Sequence, residues 1–358
     1  KVRWWEAVVG CRGRLAWSGR EATLGRGLPL LVEDDVGRGP EGRDHDPAAA
    51  VGDDRLRLIL ICCHPALAAE SRLALTLRLV CGLATAEVAR AFLVSEPTMA
   101  ARITRAKKKI AAARIPLRVP GAHALPPRVD AVLTVVHLVF TTGHTAPSGD
   151  RLVRGDLVAR ALDLARMLRE LLPRDGAVAG LLALILLTDA RRPARVDAHG
   201  DQVLLADQDR ARWDRDAIEE GLLLTRESLA RRPPSRFALM AAIAAVHSDA
   251  PAWEETDWRE VVALYDILAE TWPSPVVALN RAVAIGFADG PAAGLAALED
   301  LADEPQLAGY GYLAVARGDA LERLGRAAEA RAAFAEALHL TDNSVERALL
   351  GRRLARVG

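Results

Sequence analysis

The chain is short of aromatic residues and cysteines, and it has no long apolar run. Aromatic side chains form 4% of its 358 residues although 51% are hydrophobic, a balance that favours helices over sheets. Its four cysteines contain no CxxC pair, so we expect a reducing, cytoplasmic environment rather than a disulfide framework. The longest apolar run, residues 180–188, is about half of the ~20 residues that cross a membrane. The sequence therefore predicts an all-α, cytoplasmic protein without a membrane partner.

The chain also lacks a net charge, because 47 basic residues balance 47 acidic ones. One segment departs from this balance: between residues 95 and 118, Glu96 is the single acidic residue. The basic residues of the same segment are Arg102, Arg105, Lys107, Lys108, Lys109, Arg114 and Arg118. A local excess of this kind, in a chain that is neutral overall, indicates a surface for nucleic acid.

Residues 84–110 have the pattern of two helices on either side of a short break at residues 93–95. Thr85 is expected to cap the first helix and Ser95 the second, and Pro97 is tolerated in a first helical turn. In the second helix, apolar residues recur at helical spacing and predict a buried stripe of Met99, Ile103, Ala106 and Ile110. This arrangement predicts a helix-turn-helix DNA-binding domain.

The side of the second helix opposite this stripe, with its flanks, is the predicted DNA-binding surface. Small residues near the N-terminus would enter the major groove, and cations further along would contact phosphates. The predicted DNA-binding residues are Ser95, Glu96, Pro97, Thr98, Ala101, Arg102, Arg105, Lys107, Lys108 and Lys109. The alternative is an ordinary amphipathic helix with a solvated cationic face. The preceding helix and the concentrated positive charge favour DNA binding.

These residues resemble region 4 of bacterial sigma-70 family transcription initiation factors of the extracytoplasmic-function type. The resemblance covers residues 55–119 and lies in the strings TAEVARAF, VSEPTM and ITRAKKKI. Leu93 departs from it, since helix-turn-helix turns often carry glycine at this point, where a positive φ is strained for leucine. The resemblance implies binding to the −35 promoter element and to core RNA polymerase.

Only residues 20–31 resemble the end of region 2, the part of these factors that grips core polymerase and opens the −10 element. The first residue is Lys1 rather than methionine, and we expect the chain to be a fragment with most of region 2 upstream. Residues 1–50 are therefore interpreted as a remnant of region 2 and a linker. Residues 53–119 are interpreted as the region 4 domain.

Two further helices are expected to brace the helix-turn-helix. One would run over residues 55–63, capped by Asp53 and Asp54, and the other over residues 70–81, with Gly82 as its terminating glycine. Adjacent cysteines on a helix diverge by about 100°, and no second ligand pair stands at zinc spacing. Cys62 and Cys63 are therefore predicted to be buried structural residues.

Residues 126–230 are predicted to form a helical extension domain, which resembles the extension that follows region 4 in one group of extracytoplasmic-function factors. Helices are expected over residues 128–140, 156–172 and 177–187. The polar residues 189–214 follow, with a turn expected at His199-Gly200. A salt-bridge network that orders a loop is the favoured interpretation of this stretch, and an acid/base or metal site is the alternative.

Residues 231–358 contain a weak repeat that predicts a tetratricopeptide-like helical domain. The string GPAA at residues 290–293 is followed 35 residues later by GRAA, with helical patterns before and after each. The residues expected to allow or fill close packing are Ala316, Ala320, Leu321, Leu324, Ala328, Ala332, Phe334 and Leu338. Such repeats offer a concave surface for a protein partner; the alternative is a helical bundle of similar period.

Taken with these patterns, the resemblance implies a sigma factor, and we expect it not to be an enzyme and to need no cofactor or metal. The alternative function is a helical-repeat scaffold for protein interaction that carries a vestigial DNA-binding unit. A third and weaker interpretation is an enzyme that uses the charged side chains around residues 190–214.

Overall fold

The structure, a computed structural model, describes residues 58–64, 66–80, 82–92, 94–112 and 125–357. Helices dominate these ranges, as the sequence predicts, and the strands within them are limited to two residues each. The interpretation of residues 1–50, the caps Asp53 and Asp54, and the departure at Leu93 all lie outside the described residues. In the ranges described, no helix is both long and apolar enough to span a membrane.

The described residues fall into two compact units, which divide between Val139 and Phe140. The first unit contains a helical segment at residues 58–62 followed by the other elements of the DNA-binding part. These are α1 (Ala69–Leu75), a π-helix (Thr76–Val80), α2 (Thr85–Ala91), α3 (Glu96–Ala112) and the start of α4 (Leu125–His144). The division between the units therefore falls inside the continuous helix α4.

The second bracing helix differs from its prediction, because it changes from α-helix to π-helix at Thr76. Hydrophobic spacing alone does not distinguish these two helical forms over one or two turns. The expected glycine stop is present: Gly82 has φ of 73°, and the next amide, of Leu83, donates to the carbonyl of Leu77 at 3.0 Å. Cys62 and Cys63 are both 0% exposed, which confirms their predicted burial.

The second unit contains further helices, three-residue 3-10 turns and the two short strands. Its first part comprises β1 (Ser148–Gly149), α5 (Gly155–Leu171), α6 (Gly176–Asp189), α7 (Arg215–Leu229), α8 (Arg236–Asp249) and α9 (Trp258–Thr271). Its second part comprises α10 (Pro275–Ala288), α11 (Pro291–Glu299), α12 (Gly311–Arg323), α13 (Ala327–His339), β2 (Asp342–Asn343) and α14 (Ser344–Val357).

Helix α6 is the centre of the first part. Residues 178–188 of this helix are all buried, so it is apolar on every side, as expected for a helix that others surround. Helices α5, α7 and α8 pack around it. A glycine makes one of these contacts possible, because a Cβ at Gly180 would lie 2.7 Å from the amide nitrogen of Ala238. The side chains of α6 thus form the core of this part of the unit.

The boundary predicted at residues 230 and 231 does not separate compact units. Helix α7 ends just before it and α8 begins just after it, and both pack against α6. Strand β1 also pairs in parallel with β2, with Ser148 opposite Asp342 and Gly149 opposite Asn343. Because α8 covers part of the apolar surface of α6, residues on both sides of 230 share one hydrophobic core.

The predicted pairs of helices around the two repeated glycine strings are present as α10 to α13, each packed on the next. Gly290 and Gly325 have φ of 101° and 76°, conformations that favour glycine. The expected packing roles were wrong in part: Leu324 is 36% exposed, and Ala328 and Ala332 are exposed. The spacing located the helices correctly, but it did not determine which side of each helix faces its neighbour.

Candidate nucleic-acid interface

The first helix of the predicted helix-turn-helix, α2, has a different N-cap residue from the one expected. The amide of Ala84 donates to a carboxylate oxygen of Glu87 at 2.7 Å, and the carbonyl of Ala84 accepts the amide of Val88 at 3.0 Å. Ala84 therefore occupies the N-cap position and Thr85 is already helical, so the predicted cap at Thr85 was wrong. Glu87 instead reaches back to the helix start, as the acidic residue of a capping box does.

The start of α3 matches its prediction. The side-chain oxygen of Ser95 accepts the amide of Thr98 at 3.3 Å, and the Ser95 carbonyl accepts the amide of Met99 at 3.0 Å. The two hydroxyl oxygens of Ser95 and Thr98 also lie 2.7 Å apart, within hydrogen-bond distance. Ser95 is therefore the N-cap of α3, and its contact with Thr98 orders the first turn of this helix.

One side of α3 anchors the helix in the first unit. The predicted stripe of Met99, Ile103, Ala106 and Ile110 is buried, with 0% to 6% of each residue exposed. The predicted DNA-binding residues all lie outside this stripe. Those that are exposed are Ser95, Glu96, Pro97, Thr98, Lys108 and Lys109, and those that are half-buried are Ala101, Arg102, Arg105 and Lys107.

The cations on the exposed side of α3 differ in their contacts. The Nε of Arg105 donates to the carbonyl of Ala101 at 3.2 Å, which lays the side chain along the helix. Lys107, Lys108 and Lys109 form no ion pair with the described part of the chain. Within the described ranges, the C-terminal half of α3 therefore presents positive charge without a carboxylate partner, which favours contact with phosphates.

Arg102 is held by the first unit itself. One of its terminal nitrogens lies 2.9 Å from a carboxylate oxygen of Glu70 on α1, and the two side chains are 20% and 21% exposed. Its guanidinium carbon also lies 5.6 Å from the centre of the Phe92 ring, just after α2. The sequence analysis missed Glu70 and Phe92 because no local pattern connects them with Arg102. In the structure, Arg102 connects α3 with both preceding helices.

The charged stretch at residues 189–214 forms part of a cleft in the second unit. Its lining includes Asp189, Arg192 and Asp214, together with Arg166 and Glu220, and its volume is about 330 Å³. His199 does not line this cleft and is exposed at the tip of the hairpin that the sequence predicts. The described residues contain no group of three histidine, cysteine or carboxylate side chains placed to hold a metal ion.

Several arginines near this cleft are structural, in a way that the charge pattern did not indicate. Arg191 and Arg195 are 2% and 1% exposed, and Arg195 donates to the side-chain oxygen of Thr145 at 3.2 Å. Burial, with the nearby arginines, holds the pKa of His144 well below its usual value. Burial also raises the pKa of Asp189, against the opposing effect of Arg192 and Arg195. A simple surface salt-bridge network therefore describes this stretch only in part, because several of its charges lie in the core.

Comparison with known proteins gives two family matches and one similar protein. The family model of sigma-70 region 4 matches residues 57–110, and that of a family of unknown function (DUF6596) matches residues 128–229. An uncharacterized protein of Rhizobium meliloti (strain 1021) is 45% identical over 324 residues, which are 90% of this chain and 76% of the relative. No solved structure matches the chain. The chain therefore belongs to the family of this Rhizobium meliloti protein, and its sigma-70 region 4 domain gives it a sigma-factor-like, DNA-binding role in transcription.

Proposed function

We propose that the chain is a sigma factor of the extracytoplasmic-function type, which recognises the −35 promoter element and directs transcription initiation by core RNA polymerase. The observation that carries this proposal is the two-sided construction of α3. Its apolar stripe fixes the helix in the first unit, while Lys107, Lys108 and Lys109 remain without an ion pair in the described structure. A helix with these properties can enter the major groove and bind the phosphates on either side.

The proposed DNA contacts divide along α3. Five residues at its start, of which four are exposed, would face base edges: Ser95, Glu96, Pro97, Thr98 and Ala101. Arg105, Lys107, Lys108 and Lys109 would bind phosphates, which supply affinity without sequence preference. Each base contact in the first group is expected to contribute about 1–3 kcal/mol of discrimination against the wrong base.

The second unit would serve a different purpose. We propose that its α10 to α13 helices form a tetratricopeptide-like surface for a protein partner, and that the unit regulates the factor in the cytoplasm without enzymatic activity. Consecutive packed helices joined at Gly290 and Gly325 support this proposal. Repeats of this kind commonly offer an extended surface for protein binding.

Binding experiments on the full chain can test the proposal. We expect the protein to co-elute with core RNA polymerase and to select a defined sequence from a random pool of duplex DNA. Replacing Lys108 with Gln should lower the slope of log affinity against log salt by about 0.9, the effect of one lost phosphate contact. Polymerase binding without any DNA selection would contradict the proposal and favour the alternative of a scaffold with a vestigial DNA-binding unit.

A further inference from the structure

We propose that Arg102 is a positioning residue for DNA recognition, which orients α3 through Glu70 and Phe92 and does not itself contact DNA. This inference depends on the proposed role of α3 as the recognition helix. It separates Arg102 from the other cations of α3, with which the sequence alone grouped it.

The first step of the argument is the state of the Arg102 charge. Its guanidinium already has a carboxylate partner at 2.9 Å, and about four-fifths of both side chains is shielded from water. It also lies over the Phe92 ring, a contact that stabilises a cation near an aromatic face. Its charge is therefore already compensated, and turning the guanidinium away to bind a phosphate would leave the carboxylate of Glu70 uncompensated next to DNA.

The second step is the location of this ion pair. Glu70 belongs to α1, Phe92 follows α2, and Arg102 is in the second turn of α3, so the contact joins α1, the end of α2 and α3. Arg102 directly follows Ala101, one of the residues proposed to face base edges. Because base contacts depend on placement to within about 0.5 Å, a small tilt of α3 would change them.

The third step is the contrast with Lys108, which lies on the same helix. Lys108 is exposed and has no carboxylate partner in the described structure, so it can bind a phosphate without losing another contact. Removing the charge of either residue changes the net charge of α3 by the same amount. Arg102 and Lys108 therefore form a matched pair, in which only the local contacts differ.

The experiment compares Arg102→Gln with Lys108→Gln in the full chain. Fluorescence anisotropy with a short labelled duplex at several salt concentrations gives the salt slope, and selection from a random duplex pool gives the preferred sequence. For Lys108→Gln we expect the slope to fall by about 0.9 with the same selected sequence. For Arg102→Gln we expect a slope within about 0.3 of the parent, a broadened selected sequence and about threefold to fivefold weaker binding to the parental sequence.

Glu70→Gln provides a second variant, which leaves the charge of α3 intact and keeps the test decisive if Arg102→Gln does not fold. It should broaden the selected sequence without lowering the salt slope, and combining it with Arg102→Gln should add little, since the two residues act through one contact. Circular dichroism melting of each variant checks its folding.

Two results would overturn the inference. A fall of the slope by about 0.9 in Arg102→Gln would show that Arg102 binds a phosphate directly. An unchanged selected sequence in a folded Arg102→Gln or Glu70→Gln variant would show that the ion pair only stabilises the fold. Failure of the proposed function is a different outcome: there the parent itself selects no sequence, and Lys108→Gln leaves the slope unchanged.

Discussion

Replacing Asn343 with Ala should destabilise the second unit more than any neighbouring surface substitution. Asn343 is fully buried; it is the last residue of β2 and directly precedes α14. Its side-chain nitrogen donates to the carbonyls of Ala146 and Arg151 at 3.1 and 2.9 Å. Its side-chain oxygen accepts the amide of Val345 at 3.0 Å and so helps to cap α14.

The expected loss follows from these contacts. A hydrogen bond contributes about 0.5–1.5 kcal/mol net, and the loss of a helix cap costs about 0.5–2 kcal/mol. Because alanine would also leave the carbonyls of Arg151 and of the buried Ala146 without this donor, we expect the free energy of unfolding to fall by about 2–4 kcal/mol. Ser344→Ala is the matched control. Ser344 is exposed and its hydroxyl makes one hydrogen bond, to the carbonyl of Gly149 at 3.1 Å, so its loss should stay below about 1 kcal/mol.

Urea unfolding followed by tryptophan fluorescence measures this difference. Trp213, Trp253, Trp258 and Trp272 all lie in the second unit, whereas the described residues of the first unit contain no tryptophan. Four of the seven tryptophans of the chain therefore report on the unit that Asn343 supports. Equal midpoints and slopes for Asn343→Ala and Ser344→Ala would refute the reasoning, because they would mean that this buried amide contributes no more than an exposed hydroxyl.

Two other predictions concern the second unit. Gly294→Ala should lower the free energy of unfolding by about 2 kcal/mol in urea unfolding, because the new Cβ would lie 2.5 Å from the Cα of Gly286. Gly351→Ala is the control: its Cβ meets nothing within 4 Å, so it should be neutral or slightly stabilising. Equal effects of the two substitutions would contradict this prediction. Burial lowers the folded-state pKa of His144 and His247 well below 6.5, so the unfolded chain binds more protons in acid. As the pH is lowered from 7 to 5.5, the free energy of unfolding should fall by about 1 kcal/mol per histidine, and above pH 7 it should stay level. His247→Phe should reduce this fall. An unchanged pH profile in this variant would contradict the assignment of the fall to buried His247.

The sequence was sufficient where the structure depends on neighbours along the chain. The spacing of Met99, Ile103, Ala106 and Ile110 predicted the buried side of α3, because a regular helix repeats every 3.6 residues. Ser95 was predicted as a cap because the amide that it accepts, from Thr98, is three residues away. Even so, Ala84 rather than Thr85 is the N-cap of α2, where the amide of Ala84 donates to the side chain of Glu87.

The sequence was insufficient where a contact joins distant residues. The exposure of Leu324 depends on how α12 turns relative to α13, which the repeat spacing does not determine. The burial of Arg195 depends on Thr145, a partner some fifty residues earlier. The packing of helices across residue 230 has the same origin, because the surface that α8 covers belongs to α6.

The same distinction explains why the cations of α3 could be located but not assigned from the sequence. Arg102, Arg105 and Lys108 all lie outside its apolar stripe. A helical projection places Arg102 on the flank of the stripe and the other two on the opposite side, but it does not show which partners they meet. Their surroundings differ because α1 places Glu70 against Arg102, and a partly shielded ion pair is costly to break when one partner would remain without the other. Lys108 has no such partner in the described structure. A cation of α3 is therefore available to DNA when no carboxylate of the folded chain is paired with it. Only the packing of α1 against α3 shows that Arg102 has such a partner.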